Sequence, residues 1–219
     1  MTQLAFLHTS ASLVAPFKEL CDKYLAGKDV DIFNLADDSL IRNTLREGYL
    51  TPATARRVIG HVRSLEEAGA EHVMVTCSSI GPAVEMAARL VGIPVYRVDR
   101  PMAEKAVEEA GRIGVAATLP TTLDPTCELL RRVAAEKERE VSLATACCEG
   151  AFDALMGGDA ATHDKRIAAA LEDLMQKCDL IVLAQASMAR VVDQLPATAR
   201  KVPVLASPPL AMEFLARRL

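Results

Sequence analysis

The residues best suited to chemistry lie in one run, Glu71-His-Val-Met-Val-Thr-Cys77-Ser-Ser-Ile-Gly-Pro82. A thiol there is flanked by three hydroxyls, those of Thr76, Ser78 and Ser79, a set able to act as nucleophile, base or anion cradle. Val73 to Val75 is short, apolar and β-branched, as a buried strand requires. After Gly81-Pro82 the spacing turns helical through Val84, Ala87, Ala88 and Val91. The thiol therefore falls where a parallel strand hands over to a helix, the edge of an open α/β sheet at which ligands bind. Backbone N–H groups at a helix start hold an anion and lower the pKa of a cysteine placed there. The plain alternative is a buried structural cysteine with capping serines.

The remaining reactive residues form no second pattern. None of the other five cysteines, Cys21, Cys127, Cys147, Cys148 and Cys178, stands in CxxC spacing. Cys147 and Cys148 are neighbours, and disulfide geometry resists a bridge between adjacent residues. Free thiols fit a reducing, cytoplasmic compartment. The histidines, His8, His61, His72 and His163, show no metal-ligand spacing, so no metal site is expected. Phosphate-cradling glycine motifs and the Gly-x-Ser-x-Gly elbow are absent. With 25 Lys and Arg against 29 Asp and Glu, the chain is mildly acidic, with no basic, aromatic-laced tract for nucleic acid. The first seven residues lack the charged and apolar regions of a signal peptide, and no apolar run reaches membrane-spanning length. The charges at Asp37-Asp38 and Asp99-Arg100 read as solvated loops, with substrate specificity as the alternative use.

The elements that must position the thiol come in two similar sets. Leu4 to Leu7 reads as a strand ending in His8-Thr9-Ser10, followed by a helix with apolar positions Leu13, Phe17, Leu20 and Tyr24. Val30 to Phe33 reads as the second strand, followed by a polar loop through Asp37-Asp38-Ser39. Thr51-Pro52 starts a helix, by cap residue and first-turn proline, and Gly69 stops it. The Cys77 strand, its helix and a strand through Ile93 to Val98 complete the set, and a helix from Pro101 runs to Gly111. From Arg112 the order repeats: a strand at Ile113–Ala117 leads into Thr118-Leu-Pro-Thr-Thr122, then come a strand at Val141–Thr145, a helix opened by Thr162 and a strand at Asp179–Ala184. Pro16 and Pro125, Val58 and Ile167, Val62 and Leu171, and Pro94 and Pro203 all lie 109 positions apart, and Cys77 and Gln185 lie 108 apart. Two β/α halves of like order explain this. Hydroxyls of Ser10, Ser78, Ser79, Thr118, Thr121, Thr122 and Ser187 fall near the strand ends, either as plain helix caps or as a cradle suited to a small carboxylate.

The doubled halves, Val-Thr-Cys77-Ser-Ser-Ile-Gly, its twin Ile-Val-Leu-Ala-Gln185-Ala-Ser-Met, and Thr118-Leu-Pro-Thr-Thr122 together resemble the aspartate/glutamate/hydantoin racemase superfamily over essentially the whole chain. The resemblance implies an α/β fold of two flavodoxin-like halves, each doubly wound on a parallel four-stranded sheet. It relates them by a pseudo-twofold axis, with the active site in the cleft between them. It implies an N-terminal half of residues 1–99 plus 208–219, a C-terminal half of 100–207, and chemistry without cofactors. Racemases of this kind place one cysteine from each half on opposite faces of a carbon. Here the first is Cys77 and the second position is Gln185, which cannot shuttle a proton. Cys148 or Glu149, at a neighbouring strand end, are the candidates to replace it.

The expected function is accordingly a cofactor-independent racemase or isomerase-type enzyme acting on a small carboxylic acid. Cys77 would serve as the thiolate, Gln185 and Ser10 would orient the substrate, and Ser78, Ser79, Thr118, Thr121, Thr122 and Ser187 would bind it. The alternatives are a malonate-type decarboxylase, a cis–trans isomerase using thiolate addition, and a non-catalytic binder of small acids. The default assembly is a homodimer, with neither nucleic acid nor membrane as partner.

Overall fold

The computed structural model describes residues 1–195 and 201–219. The chain divides into two compact units, residues 1–100 with 208–219 and residues 101–207. In the first unit, strands β1 (Thr2–His8), β2 (Val30–Ala36), β3 (His72–Val75) and β4 (Val95–Arg97) form a parallel sheet in the order β2-β1-β3-β4. Its helices are α1 (Val14–Tyr24), α2 (Asp38–Glu47), α3 (Pro52–Glu67), α4 (Gly81–Ala87) and, at the end of the chain, α10 (Ser207–Arg218). In the second unit, β5 (Arg112–Ala117), β6 (Ser142–Cys147), β7 (Leu180–Leu183) and β8 (Val204–Ala206) form a parallel sheet in the order β6-β5-β7-β8. The other helices are α5 (Arg100–Glu109), α6 (Pro120–Glu136), α7 (Ala151–Met156), α8 (Ala160–Leu174) and α9 (Ala189–Gln194). The same strand order in both units is the doubly wound arrangement expected of two flavodoxin-like halves.

Strand alternation divides the first unit's core into two layers, because successive side chains point to opposite faces of a sheet. Ala5, Leu7, Val73 and Val75 pack with Leu40 of α2, Val58, Val62 and Leu65 of α3, and Ala83 and Val84 of α4. Leu4, Phe6 and Met74 pack on the other face with Phe17 and Cys21 of α1 and Ala211, Met212 and Leu215 of α10. A parallel sheet covered on both faces carries near-continuous apolar runs, which is how these strands read in the sequence. In the second unit Ala116, Ile181 and Leu183 pack with Ile167, Leu171 and Leu174 of α8. Gly114 of β5 is dictated by packing: a β-carbon there would lie 2.8 Å from Cys178 Sγ.

Several local expectations are corrected. The stretch read as a loop after β2 is helix α2, with Asp37 as its N-cap: Asp37 Oδ1 accepts from the Ser39 amide at 3.0 Å. The cap of α8 is Asp159, which accepts from the Thr162 amide, so Thr162 lies inside the helix. Leu13 belongs to a 3₁₀ turn at Ala11–Leu13 that precedes α1. The fourth strand is shorter than Ile93–Val98, and α7 has no counterpart in the sequence reading. Thr51 caps α3 with Pro52 in its first turn, as its sequence dictates. Among the described residues no helix is long and apolar enough to cross a membrane.

Candidate active site

In each unit the chain leaves the first strand toward one side of the sheet and returns to place the third on the other. The ends of β1 and β3, and of β5 and β7, are thus the topological switch points at which an open α/β sheet forms its ligand crevice. Cys77 follows β3 and Thr9 follows β1; Gln185 follows β7 and Thr118 follows β5. Register makes the pairs equivalent. Leu7 is paired with Val75 and Ala116 with Leu183, so Thr9 stands beside Cys77 as Thr118 stands beside Gln185.

Around Cys77 the chain is built to meet a sulfur with donors. Cys77 is the N-cap of a 3₁₀ turn, Ser78–Ile80, which runs directly into α4. The residue is half-buried and packs at the margin of the apolar layer under α3 and α4. Burial pushes its thiol pKa up, against hydrogen bonds from the Thr9 hydroxyl, the Ser79 and Ile80 amides and the Ser79 hydroxyl. Burial prevails, so the thiol lies above its ordinary value, contrary to the lowering expected from the helix start alone. Ser78 and Ser79 are both buried in the turn.

Ser10 does not join this group. Its hydroxyl accepts from the Ser12 amide at 3.3 Å and lies 2.8 Å from the Ser12 hydroxyl, which makes it a cap of the turn before α1. Thr9, 3 % exposed, was not anticipated. Its signal is the register of β1 against β3, which is unreadable before the strands are paired. His8 braces the same strand ends: Nδ1 lies 2.9 Å from Thr76 Oγ1 and Nε2 3.0 Å from Asn34 Oδ1. The ring is fully buried, and that burial lowers its pKa despite the Asn34 contact.

In the second unit Gln185 Oε1 accepts from the Thr118 amide at 2.6 Å and from the Thr118 hydroxyl at 2.9 Å. A backbone N–H can only donate, so the oxygen of the Gln185 amide is the atom held there, and its NH₂ faces away. Thr121 and Thr122 lie in the first turn of α6, after Pro120, and not in a loop. No side chain caps that helix start, and Thr121 Oγ1 is buried without a hydrogen-bond partner. Ser187 lies in a 3₁₀ turn, Ala186–Met188, beyond Gln185.

Neither proposed replacement for a second acid or base is near Gln185 in its sheet. Cys148 and Glu149 follow β6, which β5 separates from β7. Cys148 is buried in the core, and burial takes its thiol up to about 11. Asp37 and Asp99, read as loop charges, are structural. Asp37 takes Ser39, Arg57 and His61, and Asp99 is fully buried against Arg97. A cavity of about 210 Å³ in the first unit is lined by Phe6, Phe17, Cys21, Ile32 and Asn34, none of them predicted site residues. Among the described residues no cluster of His, Cys, Asp and Glu could hold a metal ion.

Comparison with known proteins finds the same fold in solved structures. Glutamate racemase from Francisella tularensis, in complex with D-glutamate, superposes with a TM-score of 0.75 at 14 % identity, over 100 % of this chain and 81 % of that one. Allantoin racemase from Klebsiella pneumoniae gives 0.70 at 18 %, over 100 % and 87 %. A mutant of arylmalonate decarboxylase in its sulfate-associated form gives 0.59 at 20 %, over 99 % and 92 %. No curated protein sequence matches. The family model described as Asp/Glu/Hydantoin racemase matches residues 7–215, from the end of the first strand to the last helix, and the chain belongs to that family.

Proposed function

We propose that the protein is a cofactor-independent, isomerase-type enzyme that moves a proton at the α-carbon of a small carboxylic acid, with Cys77 as the group that carries it. The observation that supports this most is the surround of the Cys77 sulfur. Burial opposes its thiolate, while two backbone amides and two hydroxyls donate toward the sulfur and favour it. In one direction the thiolate takes the α-proton and becomes a thiol, leaving the electron pair as an enediolate on the carboxylate. In the other, the thiol returns the proton to that carbon. Thr121, whose hydroxyl is buried without a hydrogen-bond partner in the first turn of α6, suits a carboxylate oxygen, since a hydroxyl at a helix start donates to anions. Gln185 contributes N–H donors only.

Gln185 also favours a second reading, a malonate-type decarboxylase. Its amide is anchored through oxygen and supplies no proton, so one thiol alone protonates the carbon. Loss of CO₂ from a malonate-like acid generates the enediolate without a base, and Cys77 then needs only to donate. A non-catalytic binder has no such use for a solitary thiol held by four donors.

Candidate acids incubated with the enzyme in deuterated water test the proposal. Deuterium should enter at the α-carbon, or CO₂ should leave a malonate, with wild type and not with Cys77→Ala. Exchange that persists in Cys77→Ala, or saturable binding of an acid with no turnover, would remove the proton-transfer role.

A further inference from the structure

Behind the Cys77 turn lies a buried ion cluster that the proposed chemistry does not use. Arg97, the last residue of β4, is 5 % exposed, and Asp99 is 0 % exposed. Arg97 Nε and Nη2 donate to Asp99 Oδ1 and Oδ2 at 2.9 and 2.7 Å, and Nη1 donates to Glu85 Oε1 of α4 at 2.6 Å. All three guanidinium nitrogens are thereby engaged, which fixes the plane of the fork. Buried ion pairs are a poor means of stabilising a fold, because desolvation consumes most of their attraction. Geometry gives this one a different use. A methyl group at Gly81 would overlap the Arg97 guanidinium, so the cation lies directly against that backbone. Gly81 closes the Ser78–Ile80 turn through its N–H to the Ser78 carbonyl, and the same turn carries the Ser79 and Ile80 amides that reach the Cys77 sulfur.

We propose that Arg97, fixed by Asp99 and Glu85, is a positioning residue for Cys77. It backs the turn at its only side-chain-free residue and so sets the aim of the two amides at the sulfur. This assignment rests on the reading of Cys77 as the reacting group. It also explains why a glycine stands at the start of α4, where helix propensity would favour alanine.

Three variants in the full chain test it. Asp99→Asn keeps shape and removes charge, Arg97→Lys keeps charge and removes the fork, and Glu85→Gln is the mildest, at the most exposed member of the cluster. Two readouts are taken on each folded variant. Loosening the turn should raise hydrogen exchange of the Ser79 and Ile80 amides about tenfold relative to the Leu7 amide of β1, a local opening and not a global one. The pH midpoint of Cys77 alkylation, followed on its own peptide by mass spectrometry, should move by about half a unit or more. A purely structural cluster would lower stability and leave the midpoint in place. In a parent whose Cys77 reacts, an unmoved midpoint or unmoved amides in Asp99→Asn and Glu85→Gln overturns the assignment. In a parent whose Cys77 resists alkylation at every pH, the catalytic reading fails, and the amides alone decide whether the cluster backs the turn.

Discussion

Thr9→Val is the substitution that isolates the balance at Cys77. It exchanges a hydroxyl for a methyl of the same shape at a residue 3 % exposed, so the packing of the β1 end is retained. Of the groups that favour the Cys77 thiolate, the Thr9 hydroxyl contributes most, ahead of the Ser79 and Ile80 amides. A hydrogen bond to a charged group is worth about 1.5–3 kcal/mol. Sulfur is a large, diffuse acceptor, so the low end applies, and at about 1.4 kcal/mol per pH unit the thiol should rise by about one unit. The alkylation rate of Cys77 near neutral pH should then fall about tenfold, while the limiting rate at high pH stays the same. The assay is iodoacetamide labelling across a pH series, with the Cys77 peptide quantified by mass spectrometry so that the other five thiols do not interfere. Ser10→Ala is the matched control, because its hydroxyl engages Ser12 and not the sulfur. A midpoint that stays in place or moves down in Thr9→Val, or an equal rise in Ser10→Ala, would refute the assignment of Thr9 as the thiolate's main donor.

Other perturbations follow from the same structure. Burial raises the Asp37 pKa, but hydrogen bonds from Ser39, Arg57 and His61 outweigh it and hold the carboxyl well below the usual range. The stability this confers is fully present above the unfolded value of about 3.9 and is lost as pH falls through the folded one. Asp37→Asn should therefore cost about 1–2 kcal/mol in urea unfolding at pH 7, with the gap to wild type closing below about pH 4; a gap that widens in acid contradicts the sign. Gly114→Ala presses a methyl onto Cys178 and should destabilise by about 1–3 kcal/mol, read from the denaturant midpoint; no change means that the contact relaxes freely.

The parts of the fold that were legible are those encoded by short-range pattern. Val73–Val75 and Leu180–Leu183 read as strands because a sheet covered on both faces needs unbroken apolar runs, and Thr51-Pro52 read as a helix start because cap and first-turn proline are local signals. Helix α2 escaped because only Leu40 and Thr44 of its ten residues are buried, which leaves too thin a stripe to register as a helical period. Asp37 then looked like a loop charge when it is the cap. At the site, Cys77 and Gln185 were visible from the repeat. Thr9 was not, because its relation to Cys77 is created by the pairing of β1 with β3. The direction of the thiol's pKa is hidden in the sequence for a related reason: amides at a turn are local and readable, whereas burial is the sum of layers contributed by α3 and α4. Asp99 followed the same rule, since the cation it neutralises is made costly, and therefore paired, only by burial.

A crystal structure with a bound acid that undergoes exchange tests the central claim most directly. The account predicts the Cys77 sulfur in contact with the reacting carbon, at about 3–3.5 Å. An acid seated with its α-carbon far from that sulfur, or with another acid or base against the carbon in its place, would contradict it.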